Sequence, residues 1–176
     1  MKTLLIVRGG IGAIAGIELA KSMGLNVVVS DANPEAPGFA LADDTLVAST
    51  YDVEATVAAA TRYHQEVRPI DGVMCIASDV PLTVASVAAA LGLPGIPVES
   101  ARLATDKFAM KQRFAADGVP IPWFSAVEFA DHLKDLVAAE GLPLVIKPVD
   151  SRGSRGVLLL QPETDLAWAY ATAKGH

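Results

Sequence analysis

The chain has 176 residues, a formal net charge of −6, 52% hydrophobic residues and 19% charged residues. This composition excludes a disordered chain, and the acidic balance without a basic run argues against nucleic acid or an anionic membrane surface as a partner. The single cysteine excludes a disulfide within the chain, and no apolar run is long enough for a membrane span, so we expect a cytoplasmic globular protein.

Short apolar runs alternate with helical patterns in the first part of the chain. The patterns predict strands at residues 3–7, 26–30, 44–48 and 72–77, with helices at about 11–23, 52–64 and 80–91. The strands are continuously apolar, as expected when helices cover both faces of a sheet. Repetition of strand, helix and strand therefore predicts an α/β fold with a doubly wound parallel sheet.

The pattern changes after the proline- and glycine-rich segment GLPGIP. Helices are predicted at residues 100–105, 107–116, 128–140 and 163–173, and strands at 143–147 and 156–161. The two strands lie close enough in sequence to form a hairpin with a long, glycine-rich tip. We therefore divide the chain into a doubly wound domain at residues 1–98 and a small α+β domain at residues 99–176.

The first predicted strand ends in RGGIGAIAG, a glycine-rich turn before a helix. Such a turn points backbone N–H groups at an anion. Gly10 and Gly12 match the start of a dinucleotide fingerprint, and Asp31 lies near the place of its ribose-binding acid. A NAD-dependent oxidoreductase is therefore one alternative, and glycines that only pack helix on strand are the other. Arg8 is a candidate ligand for a substrate carboxylate or phosphate, or a solvated arginine.

Asp79 follows the fourth predicted strand and precedes a helix. The carboxyl edge of an open α/β sheet is where ligands bind, so Asp79 is a candidate substrate-binding residue together with Arg8 and Gly10. A helix N-cap is an equally good interpretation of the same aspartate.

The segment LVIKPVDSRGSRGV places a lysine and a loop of glycine, serine and arginine between two apolar strands. Gly153 and Gly156 permit positive φ and allow backbone amides to approach phosphate oxygens. Ser151 and Ser154 add hydroxyl donors. A lysine ammonium group 4 Å from a phosphate charge contributes about 4 kcal/mol before desolvation, at an effective dielectric constant near 20. The loop is therefore a candidate phosphate-binding site.

Residues 92–157 resemble the ATP-grasp superfamily through GLPGIP, the SAR…TDKFAMK helix start, DGVPIP, and LVIKP followed by DSRGSRGV. Residues 1–91 resemble the doubly wound domain that precedes the ATP-binding domain in that superfamily. The resemblance implies a ligase, such as a carboxylate–amine ligase or carbamoyl-phosphate synthase, that uses ATP and Mg²⁺. Such an enzyme activates a small carboxylate as an acyl phosphate for attack by an amine or ammonia.

The resemblance also implies roles for individual residues. It assigns nucleotide contacts to Lys107, Lys147, Ser151, Gly153, Ser154, Arg155 and Gly156. Arg155 is in addition a candidate catalytic group that stabilises charge on the transferring phosphoryl group, and Arg152 either does the same or meets solvent.

The family's magnesium ligands and adenine-binding segment do not occur in this sequence. We therefore expect a truncated chain that holds no metal site and does not turn over alone. Apolar surface left uncovered by truncation favours a homodimer. A remnant that binds a nucleotide or a carboxylate without catalysis is the remaining alternative.

Overall fold

The computed structural model describes residues 1–151 and 153–176. Arg152, a candidate from the sequence, lies outside the described residues. The described chain forms two compact units, Met1–Thr105 and Asp106–His176. Each unit has its own hydrophobic core and is described by itself below.

The first unit is built on a four-stranded parallel sheet with the strand order β3-β2-β1-β4. Its strands are β1 (Thr3–Val7), β2 (Asn26–Asp31), β3 (Asp44–Val47) and β4 (Gly72–Cys75). The chain moves outward from β1 to β3 and then returns to the other side of β1. The direction of winding therefore reverses between β1 and β4, which is the switch point where open sheets bind ligands. The predicted doubly wound sheet is confirmed.

Helices cover both faces of this sheet. They are α1 (Ile14–Ser22), preceded by a 3₁₀ turn at Ile11–Ala13, α2 (Val53–Glu66) and α3 (Pro81–Ala90), while α4 (Val98–Thr105) packs against α3. Leu5 and Val7 of β1 enter one core, and Ile6 enters the core on the opposite face. This alternation explains why the strand is apolar at every position.

The second unit contains a hairpin and three helices. The elements are α5 (Lys107–Ala116), α6 (Ala130–Glu140), β5 (Leu144–Ile146), β6 (Leu158–Leu160) and α7 (Leu166–Lys174). β5 and β6 pair antiparallel, with Val145 opposite Leu159, so the predicted hairpin is confirmed. The core of this unit is formed by Leu133, Ile146, Leu160, Ala169 and Ala173. α5 contributes no buried residue.

α4 packs against α3 and lies in the first unit. The change of fold thus falls at Asp106, while the boundary after residue 98 stays a prediction about the functional domains. No helix in residues 1–151 and 153–176 is long and apolar enough to cross a membrane.

Candidate functional site

The glycine-rich segment predicted as a phosphate site forms the connection between β5 and β6. We call residues 147–151 and 153–157 the β5–β6 loop. Gly153 (φ 65°), Ser154 (φ 59°) and Gly156 (φ 69°) all adopt left-handed backbone conformations. Backbone of this kind forms concave arrays of N–H groups that bind anions. A Cβ atom on Gly156 would lie 2.8 Å from Cγ of Pro148, so the close approach at the base of the loop also requires glycine.

Lys147 is the first residue after β5 and is exposed. Ile146 points into the core, and because side chains alternate along a strand, Lys147 points away from it. Within the described residues, the Lys147 ammonium group makes no hydrogen bond or ion pair. It is therefore available to an anionic ligand, and Arg155 is exposed on the same loop.

Lys107 contacts the β5–β6 loop through both its backbone and its side chain. Its backbone N–H donates to the carbonyl oxygen of Val149 at 2.9 Å. Its ammonium group donates to the same oxygen at 3.3 Å and to the carbonyl oxygen of Ser151. Asp106 is the predicted N-cap of α5 and accepts from the N–H groups of the second and third helical residues, both at 2.9 Å. The structure thus brings Lys107 to the loop, as a shared phosphate site requires.

A second candidate site lies at the switch point of the first unit. Arg8 and Asp79 meet there, with Nη1 of Arg8 3.6 Å from Oδ1 of Asp79. The hydroxyl of Tyr51 donates to the same Oδ1 at 3.0 Å. The N-cap interpretation of Asp79 is wrong, because Val80 takes the N-cap position of α3 and Pro81 opens the helix.

Tyr51 is the residue that the sequence reasoning missed. It lies just beyond β3, and Arg8 and Asp79 follow β1 and β4, so the carboxyl ends of three of the four strands supply one cluster. The sequence signal that could have identified Tyr51 is an aromatic hydroxyl shortly after a predicted strand of a parallel sheet.

A cavity of about 110 Å³ lies beside this cluster, lined in part by Arg8, Gly10, Gly12 and Ala77. A water molecule takes about 30 Å³ of liquid volume, so the space fits a carboxylate or phosphate group. It is small compared with the roughly 300–1,000 Å³ of cofactor pockets. A Cβ on Gly12 would lie 2.8 Å from Cβ of Ala77, so this glycine has a packing reason to be present.

Asp31, the other part of the dinucleotide pattern, ties two loops together. Its carboxylate accepts from the backbone N–H of Gly9 at 2.9 Å and from that of Asn33 at 2.9 Å. Both carboxylate oxygens therefore serve the local backbone. This geometry favours the packing interpretation of the glycine-rich turn over dinucleotide binding.

Comparison with known proteins identifies the fold and its relatives. Residues 17–95 match the ATP-grasp N-terminal domain family. This match lies within the first unit. Formate-dependent phosphoribosylglycinamide formyltransferase of Xanthomonas axonopodis pv. citri (strain 306) is 31% identical over 182 residues, which cover 99% of this chain and 44% of that protein. The resemblance to the ATP-grasp superfamily is thus confirmed.

Solved structures agree with this ATP-grasp assignment. An ADP complex of N5-carboxyaminoimidazole ribonucleotide synthetase has a TM-score of 0.77 at 22% identity, over 99% of this chain and 45% of that chain. The same enzyme from Thermotoga maritima has a TM-score of 0.68 at 26% identity, over 94% of this chain and 42% of that chain. The chain spans less than half the length of these ATP-grasp relatives.

The N5-carboxyaminoimidazole ribonucleotide synthetase with the TM-score of 0.77 was solved as a complex with ADP. Among residues 1–151 and 153–176, no group of three His, Cys, Asp or Glu side chains lies close enough to hold a metal ion.

The half-buried thiol of Cys75 donates to the carbonyl oxygen of Ser78 at 3.7 Å, and burial raises its pKa. A raised pKa disfavours the reactive thiolate, so Cys75 is no candidate nucleophile.

Proposed function

We propose that this chain is the N-terminal part of an ATP-dependent ligase that activates a carboxylate as an acyl phosphate for attack by an amine or ammonia. The observation that carries the proposal is the β5–β6 loop, where left-handed backbone lies beside Lys147 and is bound by Lys107. The ATP-grasp relatives support it, because they are ligases and match this chain over nearly its whole length.

The chemistry of the loop suits a triphosphate. Phosphate oxygens accept from ammonium groups, hydroxyls and backbone amides, and the residues that would hold ATP supply all three kinds of donor: Lys107, Lys147, Ser151, Gly153, Ser154 and Gly156. Arg155 would stabilise charge on the transferring phosphoryl group. ATP, when bound, supplies the phosphoryl group that activates the carboxylate. The described residues offer no acidic cluster for Mg²⁺, and no step of the proposal runs through the metal.

The cavity of the first unit is the proposed site for an anionic group of the substrate. Arg8 offers a cation, and the turn at Gly10 offers backbone amides. Asp79 is held by Tyr51 and faces Arg8, so it orients the arginine and offers an acceptor to an amine or hydroxyl. A small carboxylate and an amine are accordingly the substrate classes that we propose, in line with the small molecules in the relatives' names.

Titration calorimetry with ATP and Mg²⁺ tests the nucleotide site. We expect the wild-type chain to bind ATP and Lys147→Met to bind it at least about tenfold more weakly, because a hydrogen bond to a charged group contributes about 1.5–3 kcal/mol. Lys134→Met is the matched control, since Lys134 pairs with Asp131 on α6 and leaves the loop intact. Equal affinity of the wild type and Lys147→Met would contradict the assignment.

Release of ADP with a panel of carboxylates and amines then tests the expectation that this chain does not turn over alone. ADP release that depends on both a carboxylate and an amine supports the ligase. Binding heat without ADP release under any of these conditions selects a chain that binds the nucleotide but does not turn over by itself.

A further inference from the structure

Lys107 is bound to the backbone of the loop that we assign to the nucleotide. Its ammonium group donates to the carbonyl oxygens of Val149 and Ser151, and its own N–H donates to Val149. Ser151 is only 9% exposed, although most of its neighbours on the loop are exposed. The contact therefore fixes the buried base of the loop and leaves its tip open.

This contact joins the start of α5 to the loop. The helix contributes no buried residue to the core of its unit, so packing alone holds it weakly. Asp106 fixes where α5 begins, by capping its first turn. Lys107, the first helical residue, then joins the start of the helix to the loop.

We infer that Lys107 is a positioning residue that holds the β5–β6 loop in its nucleotide-free arrangement and exchanges the loop carbonyls for phosphate oxygens when ATP binds. This inference rests on the proposed function for its second half only. An ammonium group has three N–H donors and no acceptor, so every hydrogen-bonding partner that it gains must be an acceptor, such as a carbonyl or phosphate oxygen. Charged phosphate oxygens form stronger hydrogen bonds than neutral carbonyls, and the exchange therefore favours the phosphates.

Hydrogen exchange in the absence of nucleotide tests the first half. The backbone amide of residue 107 reports directly, because it donates to Val149, and the amide of Val157 reports from the other end of the loop, where it donates to Ser154 at 3.3 Å. We expect Lys107→Met to exchange at these amides about tenfold faster than the wild type. Lys107→Arg should restore at least half of the protection, because a guanidinium group also donates to carbonyl oxygens.

Two other lysines provide controls for the same measurement. Lys147→Met removes the other proposed phosphate ligand, which makes no hydrogen bond in the described structure, so its exchange without nucleotide should match the wild type. Lys111→Met removes a lysine one turn further along α5, where its ammonium group lies 5.3 Å from the ring centre of Phe124. Exchange that is equally slow in Lys107→Met and the wild type would overturn the inference.

Saturating ATP tests the second half. If the lysine leaves the carbonyls for the phosphates, the tenfold difference between Lys107→Met and the wild type should shrink to less than about threefold once ATP is bound. If Lys107 only holds the loop in place, the full difference in amide exchange rate should remain with ATP bound. This result would overturn the proposed exchange of partners. If the wild type does not bind ATP at all, the proposed function fails, while the comparison without nucleotide still decides whether Lys107 holds the loop.

Discussion

The two glycine-rich turns of this chain have similar compositions and different physical reasons for their glycines. In the turn after β1, Gly9 and Gly12 are needed for space, because a Cβ at either would lie 2.8 Å from a neighbouring side-chain carbon. In the β5–β6 loop, Gly153 has open space around it and is needed for its φ of 65°. Glycine permits close packing in the first turn and backbone bending in the second.

The charged side chains that join distant segments within each unit also differ. In the first unit, carboxylates accept from strand and loop N–H groups: Asp71 from Thr3 at 2.7 Å, Asp31 from Gly9 at 2.9 Å and Asp43 from Val27 at 2.9 Å. In the second unit, the ammonium group of Lys107 donates to loop carbonyls. An ammonium group that donates to a carbonyl oxygen can donate to a phosphate oxygen instead, whereas a carboxylate repels a phosphate. This difference is why we assign the nucleotide to the second turn.

The largest effect is expected where a glycine of the first turn lacks space. Gly9→Ala would place a methyl group 2.8 Å from Cγ1 of the buried Val29 and 3.4 Å from Cβ of Ala36. Overpacking of this kind costs about 1–3 kcal/mol, and we expect a loss of about 2 kcal/mol in urea denaturation followed by circular dichroism.

Gly10→Ala is the matched control for this change. Gly10 has an ordinary φ of −67°, and its nearest neighbour would be Nε of Arg8 at 4.0 Å. We expect a change below about 0.5 kcal/mol. Similar losses at the two positions would show that space is not what the first turn requires.

The second prediction concerns the bending glycines of the β5–β6 loop. Gly153→Ala should cost about 1 kcal/mol through its left-handed φ alone. Gly156→Ala adds a contact with Cγ of Pro148 at 2.8 Å, so it should cost about 2 kcal/mol. The fluorescence of Trp123 and Trp168, the two tryptophans of the chain, reports unfolding of the second unit selectively. A larger loss for Gly153→Ala than for Gly156→Ala would contradict the distinction between bending and space.

The sequence predicted the fold well wherever a local pattern carried the information. The continuously apolar strands and the antiparallel hairpin follow from short runs of residues, and so does the N-cap at Asp106. Helix starts were less well predicted: residues 11–13 form a 3₁₀ turn, so the first α-helix begins at Ile14.

Contacts between distant residues account for most of what the sequence did not predict. The carboxylate of Asp79 was equally consistent with an N-cap, because its partner Tyr51 lies 28 residues away. The bond from Lys107 to Val149 spans 42 residues, and only the family resemblance put these two segments in one site. Local patterns specify elements, whereas side-chain partners depend on where the sheet and the hairpin bring the chain back.

A smaller effect should follow from making the first turn resemble the second. Arg8 has a φ of 82°, a conformation that costs a non-glycine residue about 1–2 kcal/mol. Arg8→Gly relieves this strain but adds about 0.5–1 kcal/mol of chain entropy to the unfolded state. The side chain of Arg8 is 42% exposed, so its pair with Asp79 contributes little.

We therefore expect Arg8→Gly to raise the free energy of unfolding by about 0.5–1 kcal/mol in urea denaturation. Arg8→Ala keeps the strain and loses the pair, so it should be no more stable than the wild type. An Arg8→Gly chain less stable than the Arg8→Ala chain would mean that the chain entropy added by glycine exceeds the backbone strain that it relieves.

The smallest effect should come from protonation of Asp43, whose carboxylate accepts a hydrogen bond from the backbone of Val27 in the first unit. The hydrogen bond from Lys21 holds the pKa of Asp43 below its usual range, and the N–H of Val27 lowers it further. Because the folded-state pKa is lowered, the stabilisation is complete near neutral pH and is lost as the pH falls through that lowered pKa. Asp43→Asn should therefore be less stable than the wild type by about 0.5 kcal/mol at neutral pH, since the pair is partly exposed.

The difference between Asp43→Asn and the wild type should close in acid, as measured by urea denaturation at pH 7 and below the usual aspartate range. Asp131→Asn is the control, because Lys134 also lowers the pKa of Asp131 but this pair on α6 is more exposed than the pair of Lys21 and Asp43, so water screens it more. Equal stability of Asp43→Asn and the wild type at neutral pH would assign the contact to hydrogen bonding by the side-chain oxygen, which asparagine retains. In that case the two units would differ in which group donates the hydrogen bond, and not in the charge of the side chain.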